Sequence, residues 1–264
     1  MIRIRKDWWK DFFNDVYMVT DARSICDKEL TRREVDLLET TLGLNKRDKL
    51  LDLCGGYGRH SLELGRRGYR NVSVLDYSDY LIRLGKRMAK KTGLDIKFYR
   101  SDARSTGFGN DSFTAVAVMS NSFGYFPRDD DNLRILKEVR RILKKGGRLL
   151  LDLADPEYIK RNLTPVSWHE AQKNIIVCRE REMKGDLVRA REIVLSKKDG
   201  LIQDKTYCER LYGKKKIVSL LKNAGFHNIS IRKRIALHKK KYDYGLLLSK
   251  MIITAIKGRG SSSA

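Results

Sequence analysis

The sequence predicts an α/β fold, in which a doubly wound, seven-stranded, mostly parallel sheet carries an antiparallel β insertion after the fifth strand. Residues 49–153 alternate between short apolar runs and amphipathic segments of helical length, which is typical of βαβ units around a parallel sheet. Residues 165–212 lose that alternation, and residues 216–257 resume it. A chain of 264 residues has room for one large domain with such an insertion.

The stretch before the first strand, up to about residue 44, is predicted to be helical. Thr31 and Glu34 have the spacing of a capping box, in which both side chains bond the first turn of a helix. The apolar positions Val35, Leu38 and Leu42 follow at helical spacing. We therefore expect a helix to begin near Thr31.

Five strands are predicted in the alternating region, each from a short apolar run. They span residues 49–53, 71–76, 96–102, 113–120 and 147–153. Between strands, Leu81, Leu84 and Met88 share one helical stripe, and Gly93 suits the C-terminal cap of that helix. A second helix is predicted from a similar stripe formed by Leu133, Leu136, Val139 and Leu143.

The insertion is predicted from three runs rich in branched and aromatic residues, at 174–182, 187–196 and 201–212. The pair Asp199-Gly200 is a typical hairpin turn. These features predict an antiparallel meander. A helix at 216–225 and two closing strands at 227–234 and 250–257 are predicted to complete the sheet.

The composition excludes several classes of protein. Hydrophobic residues make up 41% of the chain, which is enough for a buried core. No apolar run approaches the roughly 20 residues that span a bilayer, and the charged start lacks the apolar stretch of a secretion signal. The cysteines, Cys26, Cys54, Cys178 and Cys208, form no C-x-x-C pair, so neither a metal site nor a disulfide framework is expected. We therefore expect a cytoplasmic protein that does not bind a membrane.

The chain is strongly basic, with a net charge of +23. Lysines and arginines cluster at 86–91, 140–148, 214–216 and 232–241. Such a surface attracts polyanions such as RNA. Solvated helix faces would give the same clusters, so charge alone does not identify a partner.

A glycine-rich turn follows the first predicted strand. Asp52 lies at the end of that strand, and Gly55, Gly56 and Gly58 lead into the next helix. Glycines permit positive φ angles and let a ligand approach the backbone closely. Ligands of open α/β sheets bind beside such turns, at the carboxyl ends of the strands. Asp76 ends the second strand, where its carboxylate can accept both hydroxyls of a ribose.

Four motifs in this order resemble those of class I (Rossmann-like) S-adenosylmethionine-dependent methyltransferases, and the resemblance covers about residues 30–257. The turn resembles the family's acid-x-Gly-x-Gly-x-Gly motif, with Cys54 at the first glycine. Asp76 falls at the family's ribose-binding acid, and Asp102 falls where an acid often bonds the adenine amine. The run before the fifth strand resembles the family's "LKPGG" turn, with Lys145 in place of the proline.

This resemblance implies S-adenosyl-L-methionine as cofactor, S-adenosyl-L-homocysteine as product, and no metal. It also implies a set of cofactor-binding residues at the sheet edge and in the N-terminal cover. They are Asp52, Cys54, Gly55, Gly56, Gly58, Arg59, Asp76, Tyr77, Asp102, Ala103, Ser120 and Tyr17. A nicotinamide enzyme fits less well, because Gly58 is not followed by the third glycine of a G-x-G-x-x-G motif. A module that binds the cofactor without catalysis is a further alternative.

The acceptor is less clearly indicated. Residues 120–126, where the family usually faces the transferable methyl group, lack the Asn/Asp-Pro-Pro-aromatic and Pro-Cys motifs of two classes of nucleic-acid methyltransferase. The insertion resembles the lid of small-molecule members of the family, which favours transfer to an N or O atom of a small acceptor. The basic surface suits an anionic small acceptor or the alternative, RNA (tRNA or rRNA). The oligomeric state is left open.

Three residues are candidates for catalysis or acceptor binding, and Tyr207 accompanies one of them. Tyr125 is placed to form a wall of the pocket, and His169 lies at the start of the insertion. Arg210, with Tyr207, lies on the last insertion strand, where it is expected to reach an anionic group.

The expected organisation has five parts. They are an N-terminal helical cover at 1–44, a cofactor-binding α/β core at 45–160, an antiparallel β insertion that forms the acceptor lid at 161–213, the completion of the core at 214–257, and a flexible tail at 258–264.

Overall fold

The computed structural model describes residues 1–237 and 248–258. Two predictions extend beyond these residues: the flexible tail at 258–264, apart from Gly258, and the basic run at 232–241 from residue 238 onward. Among the described helices, none is long and apolar enough to cross a membrane.

The described residues form helices and strands in an order close to the predicted one. The helices are a 3-10 helix at Trp8–Lys10, α1 Asp15–Thr20, α2 Ala22–Ile25, α3 Lys28–Leu42, α4 Arg59–Arg66, α5 Asp79–Lys91, α6 Asp129–Ile142, α7 Pro156–Asn162 and α8 Lys214–Asn223. The strands are β1 Leu50–Leu53, β2 Val72–Asp76, β3 Lys97–Arg100, β4 Phe113–Val118, β5 Leu143–Ala154, β6 Val166–Gln172, β7 Ile175–Lys184, β8 Leu187–Ser196, β9 Gly200–Arg210, β10 Phe226–Ile235 and β11 Lys250–Lys257.

The central sheet has seven strands in the order β10-β11-β5-β4-β1-β2-β3. Its neighbours from β5 to β3 are parallel, and β11 runs antiparallel to both β5 and β10. The chain order reverses between β1 and β4, so their carboxyl ends flank the crevice in which such sheets bind ligands. The predicted fold class is therefore confirmed.

Helices cover both faces of the central sheet, because alternate residues of its strands point to opposite sides. Leu51 and Leu53 pack in the core layer that includes α6 and α8, whereas Leu50 packs in the layer that includes α3, α4 and α5. All four residues of β1 are buried. A strand that is buried on both faces reads as a continuous apolar run, which is why the sequence predicts it well.

Helix α3 begins earlier than the capping box predicts. Asp27 caps it by accepting a hydrogen bond from the backbone N–H of Leu30 at 3.0 Å. Thr31 lies inside the helix and donates its hydroxyl to the Asp27 carbonyl. The predicted capping box is therefore wrong, and the side chain of Glu34 is buried in the protein instead.

The insertion forms a second, four-stranded antiparallel sheet in the order β6-β7-β8-β9. Strand β6 is an edge strand that the residue pattern does not predict, and its Val166 and Trp168 are exposed. Burial alternates along β8, so one face of this second sheet points into the protein. That face lies against the N-terminal segment, as Trp8 and Tyr207 show with ring centroids 6.0 Å apart.

Candidate active site

The glycine-rich turn lies at the carboxyl end of β1, and its backbone explains its residues. Cys54, Gly56 and Gly58 have φ angles of 57°, 58° and 75°, in the left-handed region. At Gly55, a Cβ atom would lie 2.6 Å from the carboxyl carbon of Asp52. The chain therefore passes directly over a carboxylate, which only glycine permits without a shift.

Asp52 and Asp76 present carboxylates on either side of this turn. Ser61 donates its hydroxyl to one oxygen of Asp52 at 2.9 Å, and the other oxygen, Oδ1, is buried without a hydrogen-bond partner among the described residues. Asp76 accepts the backbone N–H groups of Gly56 at 2.8 Å and Ser78 at 2.9 Å. Burial raises the pKa of both carboxyl groups. These hydrogen bonds use only some of the lone pairs of each carboxylate, so each can still accept a hydrogen bond from a ligand.

These carboxylates line a first cavity, whose volume is about 1060 Å³ including its open mouth. Most residues that the resemblance implies for the cofactor line it. They are Asp52, Cys54, Gly55, Gly56, Arg59, Asp76, Tyr77, Asp102, Ala103, Ser120 and Tyr17. Gly58 does not line it, because its space is filled by the core: a Cβ atom would lie 2.9 Å from Val74. Gly58 instead begins α4.

Aromatic rings from separate parts of the chain border the first cavity. The ring of Trp9 lies 4.6 Å from that of Tyr77 and 5.5 Å from that of Phe126. The guanidinium of Arg104 lies over Phe126 at 4.3 Å, within cation–π distance. Asp102 fixes this guanidinium at 2.8 Å, and the interaction lowers the pKa of Asp102 against the opposing effect of burial. Asp102 therefore positions Arg104 as well as lining the cavity.

Arg59 lies between the first cavity and a neighbouring one. It donates hydrogen bonds to Thr31, to Ser120 at 2.6 Å and to Glu34, and Nε2 of His60 lies 3.0 Å from Glu34. Burial opposes ionisation of Glu34, but the charges of Arg59 and His60 hold its pKa well below the usual range. The predicted cofactor residue Arg59 is thus fixed by a buried ion pair.

A second cavity of similar size adjoins the first, and the two share walls. Both are lined by Phe13, Tyr17, Ile25, Arg59, Ser120 and Tyr125. The remaining walls of the second cavity come from the N-terminal segment, the loop after β4, the inner face of the second sheet, and β11. They include Trp8, Phe12, Asp21, Asn121, Arg179, Arg181, Glu192, Tyr207, Glu209 and Lys250. A ligand in one cavity therefore lies beside a ligand in the other.

Two arginines of β7 face the second cavity with different partners. Arg179 is neutralised, since it pairs with Glu192 at 2.6 Å and with Asp21 at 2.9 Å. Arg181 donates to the Thr164 carbonyl and the Ser167 hydroxyl, and within the described ranges it has no carboxylate partner. Its Nε is buried without a hydrogen bond there. Burial lowers the pKa of Arg181, and the hydrogen bond with Tyr207 and the charge of Asp21 offset this only in part.

The loop after β4, which contributes Ser120 to the walls of both cavities, has a strained backbone. Ser120 and Asn121 have φ angles of 54° and 62°. The Asp152 carboxylate accepts the N–H of Ser120, and the Asp152 carbonyl accepts the N–H of Asn121, both at 2.9 Å. The buried ammonium of Lys250 lies 3.5 Å from the same carboxylate. Strain of this kind is typical of functional sites.

Of the three candidate acceptor residues, the structure brings Tyr125 into the site and leaves two outside. Tyr125 lines both cavities, and burial raises its pKa well above the usual value, so its hydroxyl stays neutral. His169 lines neither cavity; burial and the nearby charge of Arg179 lower its pKa to about 4. Arg210 also lines neither, because its guanidinium donates to the Pro127 carbonyl. The expectations for His169 and Arg210 are corrected accordingly.

Sequence reasoning does not identify Arg181, Glu209 or Lys250 as site residues. A signal was present in the period-two alternation of the insertion, which puts Glu209 on the same face as Tyr207. Lys250 lies on a strand whose other buried residues are mainly apolar, and nothing in its local sequence marks it.

Comparison with known proteins agrees with this geometry. Residues 50–147 match the family model of a methyltransferase domain. A ubiquinone/menaquinone biosynthesis C-methyltransferase from Proteus mirabilis is 28% identical over 129 residues, which are 47% of this chain and 48% of that protein. The chain thus spans about half the length of the curated relatives it matches.

Solved structures match over a longer part of the chain. An S-adenosylmethionine-dependent methyltransferase from Clostridium acetobutylicum superposes with a TM-score of 0.72 at 19% identity, over 92% of this chain and 96% of that one. A sugar N-methyltransferase from a Streptoalloteichus species superposes with a TM-score of 0.67 at 16% identity, over 98% and 99%. At these identities the likeness shows a shared fold.

The first cavity fits S-adenosylmethionine on the evidence of its own atoms. The unpartnered buried oxygen of Asp52 suits a donor such as the ammonium of the methionine part, and Asp76 retains acceptor positions for ribose hydroxyls. Gly55 and Gly56 leave room for a ligand against the backbone. Residues 50–147 thus match a methyltransferase domain, and the chain shares the fold of S-adenosylmethionine-dependent methyltransferases.

Proposed function

We propose that the protein transfers a methyl group from S-adenosylmethionine to a nitrogen or oxygen atom of a small, anionic acceptor in the second cavity. One observation carries the proposal: the buried guanidinium of Arg181 lines that cavity without a carboxylate partner among the described residues. A buried cation that has no carboxylate in direct contact is costly, even where a carboxylate such as Asp21 acts on it from further away. An anionic group of the acceptor would supply the missing partner.

The shared walls support transfer between the cavities. Phe13, Tyr17 and Tyr125 line both, so they can align an acceptor with the cofactor and exclude water from the path. When bound, S-adenosylmethionine supplies an electrophilic methyl group on a sulfonium. The protein's part is binding and orientation, with Asp52 and Asp76 placed to bind the cofactor and Arg181 to bind the acceptor.

The named relatives support an acceptor of small size. The Proteus mirabilis protein is named for ubiquinone/menaquinone biosynthesis, and the Streptoalloteichus protein for a sugar nitrogen. The charged wall formed by Arg179, Arg181 and Glu192 favours a polar acceptor over an apolar ring. We therefore favour N- or O-methylation over C-methylation.

RNA is the alternative, favoured by the net charge of +23. The basic cluster at 140–148 covers the end of α6 and the start of β5. It therefore lies at the opposite end of the sheet from the turn after β1, where it does not suit an RNA strand that leads to the cofactor cavity. Several of its charges are also engaged within the protein: Arg141 pairs with Glu138 and Arg148 with Asp48. These contacts support a small acceptor.

The test is transfer of label from methyl-labelled S-adenosylmethionine into a small-molecule extract and, separately, into total RNA. We expect label in the small-molecule fraction. Arg181→Met should lower this incorporation by about tenfold or more, as for loss of a charge-assisted hydrogen bond worth about 1.5–3 kcal/mol. Arg191→Met is the matched control, because Arg191 is half-exposed and pairs with Asp204 outside the cavity.

Three other outcomes would contradict the proposal. Label in RNA that is lost when Lys239, Lys240 and Lys241 are all changed to glutamate would favour the RNA alternative. Incorporation unaffected by Arg181→Met would remove the argument for an anionic acceptor. Absence of label from both fractions, with normal binding of S-adenosylhomocysteine, would favour a binding module without catalysis.

A further inference from the structure

We propose that Glu209 accepts the proton of the acceptor, and that the methylated atom is therefore the nitrogen of an amine. This inference rests on the proposed function and deepens it, because it names both the acceptor atom and a catalytic residue.

Glu209 lies on the inner face of the second sheet, where its side chain lines the second cavity together with Tyr207. Strand β9 pairs Glu209 with Val188 and Tyr207 with Ala190. The cavity that Glu209 lines is also lined by Ser120 and Tyr125, which line the first cavity as well. Glu209 is thus placed in the acceptor cavity, beside walls that both ligands share.

Asn121 fixes the orientation of the Glu209 carboxyl group. The side-chain oxygen of Asn121 accepts the backbone N–H of Ala154 at 2.8 Å, which settles which end of the amide is the donor. The amide nitrogen then donates to Oε1 of Glu209 at 2.5 Å. Among the described residues, no other group donates a hydrogen bond to the Glu209 carboxyl group. Its second oxygen, Oε2, is therefore available to a ligand in the cavity.

The groups around Glu209 leave it able to change its charge near neutral pH. Burial raises its pKa to about 7, against the lowering effects of Asn121 and of the charge on Lys250. The ammonium of Lys250 lies 3.5 Å from the Asp152 carboxylate, and within the described ranges it forms no ion pair with Glu209. On the neighbouring strands β7 and β8, Arg179 and Glu192 pair with each other, and Asp21 of the N-terminal segment also pairs with Arg179. The same cavity is lined by Arg59, by Arg181 and by the neutral hydroxyls of Tyr125 and Tyr207. A base with a pKa near the working pH is suited to proton transfer.

Arg181 and Glu209 lie on strands separated by β8, two residues apart in register. Neighbouring strands lie about 4.8 Å apart and each residue rises about 3.4 Å, so the two backbone positions are about 12 Å apart on the inner face of the sheet. An acceptor with an anionic group at one end and an ammonium at the other would match both. This is the substrate class that we infer.

The displacement balances in two steps. The Glu209 carboxylate takes one proton from the R–NH3⁺ acceptor, which leaves R–NH2 and a neutral carboxylic acid. The lone pair of the freed nitrogen forms the new bond to the methyl carbon. The carbon–sulfur bond breaks at the same time, and the electron pair of that broken bond stays on sulfur. The products are a methylated ammonium and S-adenosylhomocysteine. An alkylammonium has a pKa of about 10, close enough to that of Glu209 for this transfer, whereas an alcohol is a much weaker acid.

The acceptor atom is tested with methyl-labelled S-adenosylmethionine and a small-molecule extract divided into two portions. In one portion, reductive ethylation converts primary and secondary amines into tertiary amines and leaves hydroxyls and ring carbons unchanged. We expect label only with the untreated portion. Equal label in both would overturn the amine inference and leave the proposed methyl transfer standing, whereas label in neither would contradict both.

The role of Glu209 is tested by Glu209→Gln and Glu209→Asp, with Glu180→Gln on the exposed side of β7 as control. We expect kcat/KM of Glu209→Gln to be about 10²-fold lower at pH 7, with a deficit that shrinks toward pH 9 as the free amine increases. Glu209→Asp should recover part of the rate, and binding of S-adenosylhomocysteine should be unchanged. A Glu209→Gln enzyme with the wild-type rate and pH profile would overturn the inference.

A measurement that needs no acceptor complements the kinetics. Carbon-13 NMR of glutamate-labelled protein should show one carboxyl resonance with a titration midpoint near 7, absent from Glu209→Gln and present in Glu180→Gln. A Glu209 midpoint near 4.5 would overturn the inference, because the carboxyl group would then be too weak a base at neutral pH.

Discussion

The two cavities are built in different ways. The first lies at the carboxyl ends of the central strands, where backbone turns such as Gly55–Gly56 and carboxylates at strand ends define its shape. The second is enclosed by side chains that come from the N-terminal segment, the second sheet and β11. A site built by turns depends on a few local residues, whereas a site built by side chains from several elements depends on how those elements pack. The two should therefore respond separately to substitution.

The largest difference between substitutions in the two cavities is expected from Asp76→Ala. This change removes the carboxylate that accepts the N–H groups of Gly56 and Ser78 and faces the first cavity. We expect the affinity for S-adenosylhomocysteine to fall by tenfold or more, for a loss on the order of 1.5–3 kcal/mol. Isothermal titration calorimetry measures it, with Glu209→Gln as the matched control in the other cavity. Equal losses in both variants would break the distinction between the cavities.

A smaller effect is expected from Trp9→Ala. The ring of Trp9 packs against Tyr77 and Phe126 at the border of the first cavity, and each aromatic pair contributes about 0.5–1.5 kcal/mol beyond its buried area. We expect S-adenosylhomocysteine to dissociate several-fold faster, as measured by stopped-flow fluorescence. Trp9→Phe should restore most of the residence time. Unchanged dissociation from Trp9→Ala would show that this ring does not close the cavity.

The third effect concerns the pH dependence of stability. Folding raises the pKa of Glu209 from 4.5 to about 7, so its contribution to stability is full below pH 4.5 and is lost as the pH rises toward 7. Glu209→Gln cannot ionise and lacks this loss. Urea unfolding at pH 5 and pH 8 should therefore show the variant gaining stability relative to the wild type at the higher pH. Glu180→Gln should show no such gain, and a pH-independent difference for Glu209→Gln would contradict the buried position.

The first cavity could be predicted from the sequence because its chemistry is local. A strand, an acid and three glycines occupy nine consecutive residues from Leu50 to Gly58, and the reason for the glycines is backbone geometry. The prediction was wrong in one detail. Position 58 requires glycine because Val74, a core residue, fills the space that a side chain would occupy. The requirement does not come from a ligand. Sequence alone does not separate these two reasons for a glycine.

The second cavity could be predicted only in outline. The meander and its alternation indicate an insertion with one inward face, but they do not show which part of the chain that face meets. Arg210 illustrates the difficulty: it follows Glu209 directly, and the alternation of a strand turns it away from the cavity toward the Pro127 carbonyl. Lys250 comes from a distant strand. Such residues are brought together by tertiary packing, which has no local signature.

The N-terminal segment gives the two cavities a common wall, since Phe13 and Tyr17 line both of them. A wall that contacts both proposed ligands couples their binding if the first ligand orders it for the second. On the proposed function we therefore expect positive cooperativity between cofactor and acceptor, in which each raises the affinity of the other by the same factor. A nonreactive product in the first cavity then retains the acceptor as well, even though no methyl group can be transferred.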